Sequence, residues 1–493
     1  MRLTLQEYRV VFSTLSKLLR FFSLILLLPL VWIFSEPSFF QCILSFSIPS
    51  AVAFIFGFVL QRFSHTTEFE VITVKEGAVI VLFSWTTVIV LSALPYMLCG
   101  LLNFSQAIFE ATSGWTTTGL TMFPVVEALP KPVLFWRSLT QYLGGAGFAV
   151  IVMSTIIGPT GLGFYRAEGR VDNIAPNIRH STRLIVTYYL LYAVAGTIAL
   201  MISGLNLFDA LNHSFTALAT GGFSTKNNSV AAFDNLSTEL ILMFLMFLGS
   251  IGFGIHHAFW SRDWHALREN SEPKQMIVLI LLGTVCVSLA GVGKVFPTFS
   301  DSLRHSIFQV VSALTGTGFS TVDLKSWLGF PTGLFVLVVL MLLGGCMDST
   351  SGGIKQYRLT VLFKTFKMSL RKFLLPKTSV VYVEIWKGSA KRYLDPQLIR
   401  EAFVTSAAYI LSYVLGVLML TFYGYSLGQA MFEFASALAG VGLSCGVTSP
   451  NMPLGAMWTL SVGMFMGRLE FLVIVYALAK ILSDAFRSFA KQA

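Results

Sequence analysis

The fold is decided by the stretch Thr116-Thr117-Thr118-Gly119-Leu120, because three related segments follow it in the 493-residue chain. They read Ala219-Thr220-Gly221-Gly222-Phe223, Thr315-Gly316-Thr317-Gly318-Phe319 and Ala439-Gly440-Val441-Gly442-Leu443. We call the aligned glycines the segment glycines: Gly119, Gly222, Gly318 and Gly442. A hydroxyl residue lies six positions before each of them, at Ser113, Thr216, Ser312 and Ser436. Such recurrence indicates an internal repeat, here with four copies.

A second glycine supports the repeat independently. It lies inside the apolar run that follows each Gly-rich segment, at Gly144, Gly249, Gly344 and Gly467, which we call the helix glycines. It follows the segment glycine by 25, 27, 26 and 25 residues, respectively. Close packing between membrane helices explains single glycines, but it does not explain two glycines that keep their spacing in every copy.

The composition places these repeats in a membrane. Hydrophobic residues make up 55% of the chain and charged residues 12%, whereas soluble proteins carry about 25% charge. A soluble enzyme, a secreted scaffold and a disordered protein are thereby excluded. The net charge of +10 then indicates cytoplasmic loops rather than nucleic-acid binding, because cytoplasmic loops of membrane proteins are rich in Lys and Arg. Sorting the charges along the chain predicts cytoplasmic N- and C-termini and a mildly acidic outer mouth.

We therefore predict an all-α integral membrane protein, with four membrane–pore–membrane repeats in a pseudo-fourfold arrangement and two extra N-terminal transmembrane helices. The predicted boundaries are 1–68 for the two N-terminal helices, 69–160, 180–262, 273–372 and 399–493 for the repeats, and 373–398 for a cytoplasmic linker. Non-helical backbone at membrane depth must line a wet cavity or be buried in protein. Four Gly-rich segments around one axis would bring their carbonyl oxygens into rings that replace the hydration shell of a monovalent cation.

These motifs resemble those of the Trk/Ktr/HKT superfamily of potassium transporters, over about residues 70–493. The resemblance is carried by the Gly-rich segments, by the stretch Trp136-Arg137-Ser138-Leu139-Thr140-Gln141-Tyr142-Leu143-Gly144-Gly145, and by Gly344-Gly345-Cys346 through Ser349-Thr350-Ser351-Gly352-Gly353-Ile354-Lys355. The two extra N-terminal spans are similar to those of the TrkH-like branch. The resemblance implies potassium uptake through a gated, channel-like pore of the cytoplasmic (inner) membrane.

The resemblance also implies partners and a substrate. It implies a homodimer embedded in membrane lipid and a cytosolic nucleotide-binding regulatory subunit of the RCK type, similar to TrkA. The potassium ion is the expected substrate, and we expect neither an organic cofactor in this chain nor a nucleic-acid partner.

Carried onto this chain, the resemblance assigns a selectivity filter of three residues per repeat. The assigned residues are Thr117, Thr118 and Gly119; Thr220, Gly221 and Gly222; Gly316, Thr317 and Gly318; and Gly440, Val441 and Gly442. In the HKT branch a serine at the first segment glycine accompanies sodium transport, so glycine in all copies favours potassium. Glu110 and Glu433 fall in the predicted pore helices, where they would either give the outer mouth a negative potential or hydrogen-bond nearby backbone.

The resemblance further implies an intramembrane gate at 344–353, below the filter. Glycine inside a helix costs roughly 1 kcal/mol relative to Ala, so we expect no continuous helix through this segment. The assigned gate residues are Gly344, Gly345, Asp348, Ser349, Gly352, Gly353, Lys355 and Arg468. Asp348 would attract the ion, pair with a base or be solvated in a wet vestibule. Arg468 would either be a positive group in the pore or form a local ion pair with Glu470.

Two alternatives to a channel stay open at this point. The chain would be a symporter that couples K⁺ to Na⁺ or H⁺, or a less selective K⁺/Na⁺ transporter. An intramembrane enzyme would need an acid/base or metal cluster in the spans, and neither an HExxH motif nor a phosphate-binding loop occurs in the sequence. The chain is therefore not predicted to be an enzyme.

Overall fold

The computed structural model describes residues 8–35, 39–63, 74–147, 178–376, 381–387, 390–469 and 471–490. Within these ranges the chain is predominantly helical. The helices are α1 Arg9–Ile25, α2 Phe39–Arg62, α3 Val74–Leu98, α4 Phe104–Trp115, α5 Lys131–Gly145, α6 Ile178–Ile202, α7 Leu207–Leu218, α8 Leu236–Ser250, α9 Phe253–Trp260, α10 Trp264–Glu269, α11 Ser271–Gly291, α12 Phe299–Thr315, α13 Pro331–Leu343, α14 Gln356–Leu374, α15 Pro396–Phe422, α16 Leu427–Ala439, α17 Leu454–Arg468 and α18 Leu472–Ala490. A short antiparallel ribbon pairs β1 (Glu384–Lys387) with β2 (Ala390–Tyr393).

Each repeat contains one long helix, one short pore helix, a Gly-rich segment without regular structure and a second helix. The long helices are α3, α6, α11 and α15, and the pore helices are α4, α7, α12 and α16. By length and composition, six stretches of the described residues are able to cross a membrane as continuous helices. They are Arg9–Phe34, Phe39–Arg62, Glu76–Leu98, Ser181–Ile202, Ser271–Gly291 and Pro396–Phe422. The predicted all-α architecture with four repeats and two extra N-terminal helices is confirmed, while the domain boundaries stay a prediction.

The pore helices all begin in the same way. The residue before each helix accepts a hydrogen bond, through its side-chain oxygen, from the backbone N–H three positions later, which satisfies one otherwise unpaired donor of the first turn. These capping residues are Asn103, Asn206, Thr298 and Ser426. The chain therefore enters each pore helix at a fixed point and angle.

The second helices end at or beside the helix glycines, at Gly145, Ser250, Leu343 and Arg468 in repeats 1 to 4, respectively. In repeat 2, Leu236–Ser250 and Phe253–Trp260 are bent by 104°, and in repeat 4 the bend is 100°. A Cβ added at the helix glycine would overlap a carbonyl oxygen in the last turn of the pore helix in repeats 1, 2 and 4. The glycine therefore marks the closest approach of the two helices, and the second helix stops within one residue of it.

The N-terminal helices pack on the outside of repeat 1. Phe22 of α1 is fully buried, and its ring lies 5.9 Å from Trp115 and 6.3 Å from Trp136, measured between centroids. Gly57 of α2 allows that helix to approach the carbonyl oxygen of Ser16 closely. This pair of helices thus supports the pore helix and the second helix of repeat 1 from behind.

Candidate ion pathway

The four Gly-rich segments close into a ring. The segment glycines Gly119, Gly222, Gly318 and Gly442 have φ values of 95°, 74°, 88° and 92°, respectively. A Cβ added at each would overlap a carbonyl oxygen of the following repeat, namely that of Gly221, Thr317, Val441 and Thr118, respectively. Repeat 4 thereby contacts repeat 1, so that the segments surround a single axis. Both the positive φ and the close approach require glycine.

A second left-handed position lies two residues before each segment glycine. Thr117, Thr220, Gly316 and Gly440 have φ values of 56°, 50°, 74° and 64°, respectively. Two of these residues are threonines, although a non-glycine residue rarely adopts a positive φ. The same backbone course is therefore imposed on all four segments, whether or not glycine is present.

The hydroxyl residues six positions before the segment glycines brace three of the four segments. Ser113 and Ser436 each accept a hydrogen bond from the segment glycine N–H, at 3.0 and 2.9 Å. Ser312 donates to the Phe319 carbonyl at 2.7 Å. In repeat 2 the Thr216 hydroxyl donates instead to the Asn212 carbonyl of its own helix, at 3.0 Å.

A second fourfold feature lies at the C-terminal end of the Gly-rich segments, and it was not predicted from the sequence. In each repeat, the side chain nine positions before the segment glycine hydrogen-bonds the hydroxyl side chain that lies two positions after the same glycine. The pairs are Glu110 with Thr121 (3.0 Å), His213 with Ser224 (2.9 Å), Gln309 with Ser320 (3.0 Å) and Glu433 with Ser444 (2.8 Å). The signal was available, because polar residues occupy both positions in every copy.

The side chains of Glu110 and Glu433 accept hydrogen bonds from nearby backbone N–H groups and do not face the open cavity. Both side chains are fully buried. Glu110 accepts from the Met122 N–H at 2.8 Å, and Glu433 accepts from the N–H groups of Cys445 and Thr448 at 3.1 and 2.9 Å. Of the two readings left open for these carboxylates, the hydrogen bonds to nearby backbone are the ones found.

Two side chains of the second helix of repeat 1 reach the Gly-rich segment of repeat 2. Arg137 donates to Glu110 Oε1 at 2.8 Å and to the Ser224 carbonyl at 3.2 Å, and its guanidinium lies 4.0 Å from the centroid of the Phe223 ring. Gln141 donates from Nε2 to the Gly221 carbonyl at 2.6 Å, and its Oε1 accepts from the Phe223 N–H at 3.0 Å. From sequence, this stretch was recognised only as a family motif, and no role was predicted for either side chain.

A cavity of about 700 Å³ opens at the C-terminal ends of the Gly-rich segments. Its lining includes all four segment glycines and the four hydroxyl residues that follow them. The charged residues among those lining it are Arg137, Lys226, Lys325 and Asp323. The charged lining of this cavity is therefore mainly basic, and the carboxylates of Glu110 and Glu433 are buried in the protein. The mildly acidic outer mouth, which concerns the outer segments as a whole, stays a prediction.

The predicted gate segment, residues 344–353, is part of the loop that connects α13 to α14. It lies on the side of the Gly-rich segments opposite to the cavity. Thr350 lies under repeat 2: its hydroxyl is 2.8 Å from the Gly249 carbonyl, 3.1 Å from the Leu218 carbonyl and 3.0 Å from the Thr220 hydroxyl. The segment thus contacts an assigned filter residue directly.

The other predicted gate residues shape this segment. Gly344 and Gly353 have φ values of 63° and 79°, and a Cβ at Gly352 would overlap the Ala439 carbonyl of repeat 4. The Gly345 N–H donates to Ser351 Oγ at 3.1 Å, and Ser349 Oγ donates to the Cys346 carbonyl at 2.6 Å. Lys355 is buried and donates to the Ser351 carbonyl. Asp348, with φ 56°, accepts at its backbone carbonyl from the Phe253 N–H at 3.2 Å.

Arg468 joins the gate segment to repeat 1. Its Nη1 donates to the Thr350 carbonyl at 2.6 Å, and its Nη2 donates to the carbonyls of Gly144 and Gly145 at 2.5 and 3.1 Å. Glu470, the other partner considered for this arginine, lies outside the described residues. The guanidinium therefore connects three repeats, because it extends from repeat 4 to repeat 1 and holds the loop of repeat 3.

The chain matches known proteins along most of its length. The family model TrkH, described as a cation transport protein, matches residues 45–488. An uncharacterized cation transporter of Methanocaldococcus jannaschii is 29% identical, and the match covers 99% of each chain. The Trk system potassium uptake protein TrkH of Escherichia coli (strain K12) is 31% identical over 80% of this chain and 83% of that protein.

A solved structure agrees with the sequence matches. The crystal structure of the potassium transporter TrkH from Vibrio parahaemolyticus superposes with a TM-score of 0.81 at 26% identity, covering 95% of this chain and 98% of that chain. The similarity to the TrkH-like branch and the assignment as a transport protein rather than an enzyme are both confirmed. On these matches and on its fourfold ring of Gly-rich segments, the chain belongs to the TrkH family of cation transport proteins.

Proposed function

We propose that this chain takes up potassium ions through a gated, channel-like pore. The observation that carries the proposal is the ring of segment glycines, each packed against a carbonyl of the next repeat. Such rings are suited to a dehydrated monovalent cation. The pore helices also end immediately before the segments, so that their partially negative C-terminal ends favour a cation at the axis.

The filter in this proposal consists of the carbonyls of the assigned residues in all four segments. A direct test is Gly119→Ser, measured as the K⁺/Na⁺ permeability ratio of reconstituted protein. We expect the ratio to fall, because a side chain at this position overlaps the Gly221 carbonyl and distorts the ring. An unchanged ratio would contradict the assignment of the filter.

The gate in this proposal is the segment 344–353 held by Arg468. The guanidinium is a positive charge beneath the filter, and its bonds to Thr350, Gly144 and Gly145 hold the segment across the path of the ion. Opening then requires these bonds to break, so the conformation described here is a closed one. Potassium is the substrate of this pore, and no organic cofactor in this chain takes part in the proposed mechanism.

A symporter that uses Na⁺ or H⁺ and a less selective K⁺/Na⁺ transporter are the rival functions. Reversal potentials in proteoliposomes separate all three. A K⁺-selective channel follows the K⁺ Nernst potential when Na⁺ and pH are varied. If the reversal potential shifts with the Na⁺ or proton gradient at constant K⁺, the result supports coupled transport. A K⁺/Na⁺ permeability ratio close to one supports the unselective transporter.

We further propose a homodimer in the inner membrane, with cytoplasmic termini and a cytosolic RCK-type subunit as regulator. Its support is that relatives such as that of Escherichia coli are named as parts of a Trk system. The basic helix α14, which carries Lys364, Lys367, Arg371 and Lys372, follows the gate segment and suits a docking role. Copurification of a TrkA-like subunit, lost when these four residues are replaced by Gln, tests this proposal.

A further inference from the structure

We propose that Gln141 and Arg137 are positioning residues that set ion selectivity by holding the Gly-rich segment of the neighbouring repeat. The inference rests on the filter proposed above and deepens it. It concerns one junction of the ring, between repeats 1 and 2. There the Gly221 carbonyl, one of the four assigned to the middle level of the filter, accepts a hydrogen bond from a side-chain amide.

The polar pair is a departure from the pattern of the other repeats. Three positions before the helix glycine, Gln141 corresponds to Met246, Met341 and Met464. Seven positions before it, Arg137 corresponds to Leu242, Leu337 and Leu460. All six counterparts are at most 1% exposed, and Gln141 is 0% exposed. An apolar side chain is thus the general solution at this depth, and a buried amide is stable there only because both of its ends are hydrogen-bonded.

Gly221 departs from the pattern at the matching place. The residue before the segment glycine is β-branched in the other repeats: Thr118, Thr317 and Val441. A Cβ built on Gly221 would overlap the side chain of Gln141. Gln141 therefore occupies the space that a β-branched side chain takes elsewhere, and the two departures compensate each other in volume.

Repeat 2 also needs an external brace. Its pore-helix hydroxyl, Thr216, is bonded within its own helix, whereas the corresponding serines of the other repeats bond their Gly-rich segments. Gln141 holds this segment from the neighbouring repeat instead, through different backbone atoms, because it accepts from the Phe223 N–H and donates to the Gly221 carbonyl. Its orientation is unambiguous, since a backbone N–H only donates and a carbonyl only accepts.

Arg137 fixes the far end of the same segment. It bonds the Ser224 carbonyl and lies over the Phe223 ring, while buried Glu110 neutralises its charge. The segment of repeat 2 is thereby held on both sides of Gly222 by a single helix face, because residues four apart share one face. A carbonyl held in this way resists the inward tilt that would be needed to coordinate a smaller ion.

The test compares Gln141→Met, which introduces the residue found in the other repeats, with Met246→Leu, a volume-conserving change at the equivalent buried position. In liposomes at neutral pH we expect Gln141→Met to lower the K⁺/Na⁺ permeability ratio about fivefold, the scale of one lost hydrogen bond. Met246→Leu should leave the ratio unchanged. A wild-type ratio in conducting Gln141→Met protein overturns the inference.

Two further variants keep the test decisive. Gln141→Glu is nearly isosteric and, when ionised, keeps the acceptor for Phe223 but loses the donor for Gly221, so we expect an equal or larger fall. The double variant Gln141→Met/Gly221→Thr recreates the pattern of the other repeats, and we expect it to regain at least half of the lost ratio. Wild-type selectivity in Gln141→Glu, or a double variant less selective than the single one, contradicts the proposed role.

Failure of the inference is distinguishable from failure of the filter assignment. Gly119→Ser is measured in the same assay as a reference. If Gly119→Ser changes the ratio and Gln141→Met does not, the filter stands and the positioning role is wrong. If neither variant changes the ratio, the filter assignment itself is wrong.

Discussion

The ring of Gly-rich segments and the gate segment are built from the same four repeats, but only the ring keeps their symmetry. Every segment glycine contacts a carbonyl of the next repeat. On the gate side, Gly144, Gly249 and Gly467 contact the last turns of their own pore helices, whereas Gly344 contacts Gly352 of the gate segment. The loop of repeat 3 has thus replaced a helix contact that the other repeats retain.

The proposed function gives a physical reason for this difference. A dehydrated ion needs oxygens on all sides, so a change in one repeat is tolerated at the ring only with a compensating change, as with Gln141 and Gly221. A gate needs one element with two arrangements whose energies lie close together. The repeats are therefore free to diverge on that side, and in the proposed gate Arg468 holds the diverged loop of repeat 3 through its bond to the Thr350 carbonyl.

The largest expected effect comes from breaking the ring itself with Gly318→Ala. The new Cβ would overlap the Val441 carbonyl, and Gly318 has φ 88°. Strain of this kind costs of order 1–3 kcal/mol before the clash is added. We expect the variant to support at least a hundredfold less growth of a potassium-uptake-deficient bacterium at low external K⁺ than the wild-type protein does.

The control for this change is Gly428→Ala, at the start of a pore helix. A Cβ at Gly428 meets nothing within 4 Å, so this variant should grow like the wild type. If Gly318→Ala supports normal growth at wild-type expression, the symmetric ring is not required for uptake.

The second effect sharpens the asymmetric side, through Arg468→Gln. The substitution removes a charge and shortens the donor that reaches the carbonyls of Thr350, Gly144 and Gly145. Hydrogen bonds from charged groups contribute about 1.5–3 kcal/mol each. We expect K⁺ flux in proteoliposomes to rise at least tenfold. Flux at or below the wild-type level would mean that Arg468 does not hold the pore closed.

A smaller rise is expected for Thr350→Val, which keeps the shape of the side chain and removes its hydroxyl. That hydroxyl lies within hydrogen-bond distance of the Gly249 and Leu218 carbonyls. Loss of about 1 kcal/mol from the closed state should raise flux about fivefold. Thr365→Val is the matched control, because Thr365 bonds only the Val361 carbonyl of its own helix among the contacts described.

The symmetric region was the more predictable of the two from sequence. A positive φ and a close backbone approach both require glycine, so the sequence has glycine at the corresponding positions of the four Gly-rich segments. Their order, the pore helices and the repeat number could therefore be predicted. The pairing of Glu110 with Thr121 left an equally regular trace, but one residue lies on the pore helix and the other on the segment after it, so no single helical or strand period relates the two.

The breaks of the second helices were not predictable in the same way. Residues 239–260 form one apolar run, and hydrophobicity does not report the direction of a helix. The 104° bend in this run arises where α8 meets the end of its pore helix, which is a tertiary contact. The bond between Arg468 and Gly144 joins residues 324 positions apart, and only the closed ring of repeats brings them together.

The smallest expected effect tests how far the symmetry of the ring extends to its braces, by comparing Ser436→Ala with Thr216→Val. The Ser436 hydroxyl accepts from the Gly442 N–H at 2.9 Å, whereas the contacts described for the Thr216 hydroxyl are with carbonyls of its own helix. One neutral hydrogen bond contributes about 0.5–1.5 kcal/mol, so Ser436→Ala should lower the K⁺/Na⁺ permeability ratio about threefold. Thr216→Val should leave the ratio unchanged, because Gln141 braces that segment from the neighbouring repeat. Equal losses in the two variants would mean that the hydroxyls act through the packing of the pore helices and not through the Gly-rich segments.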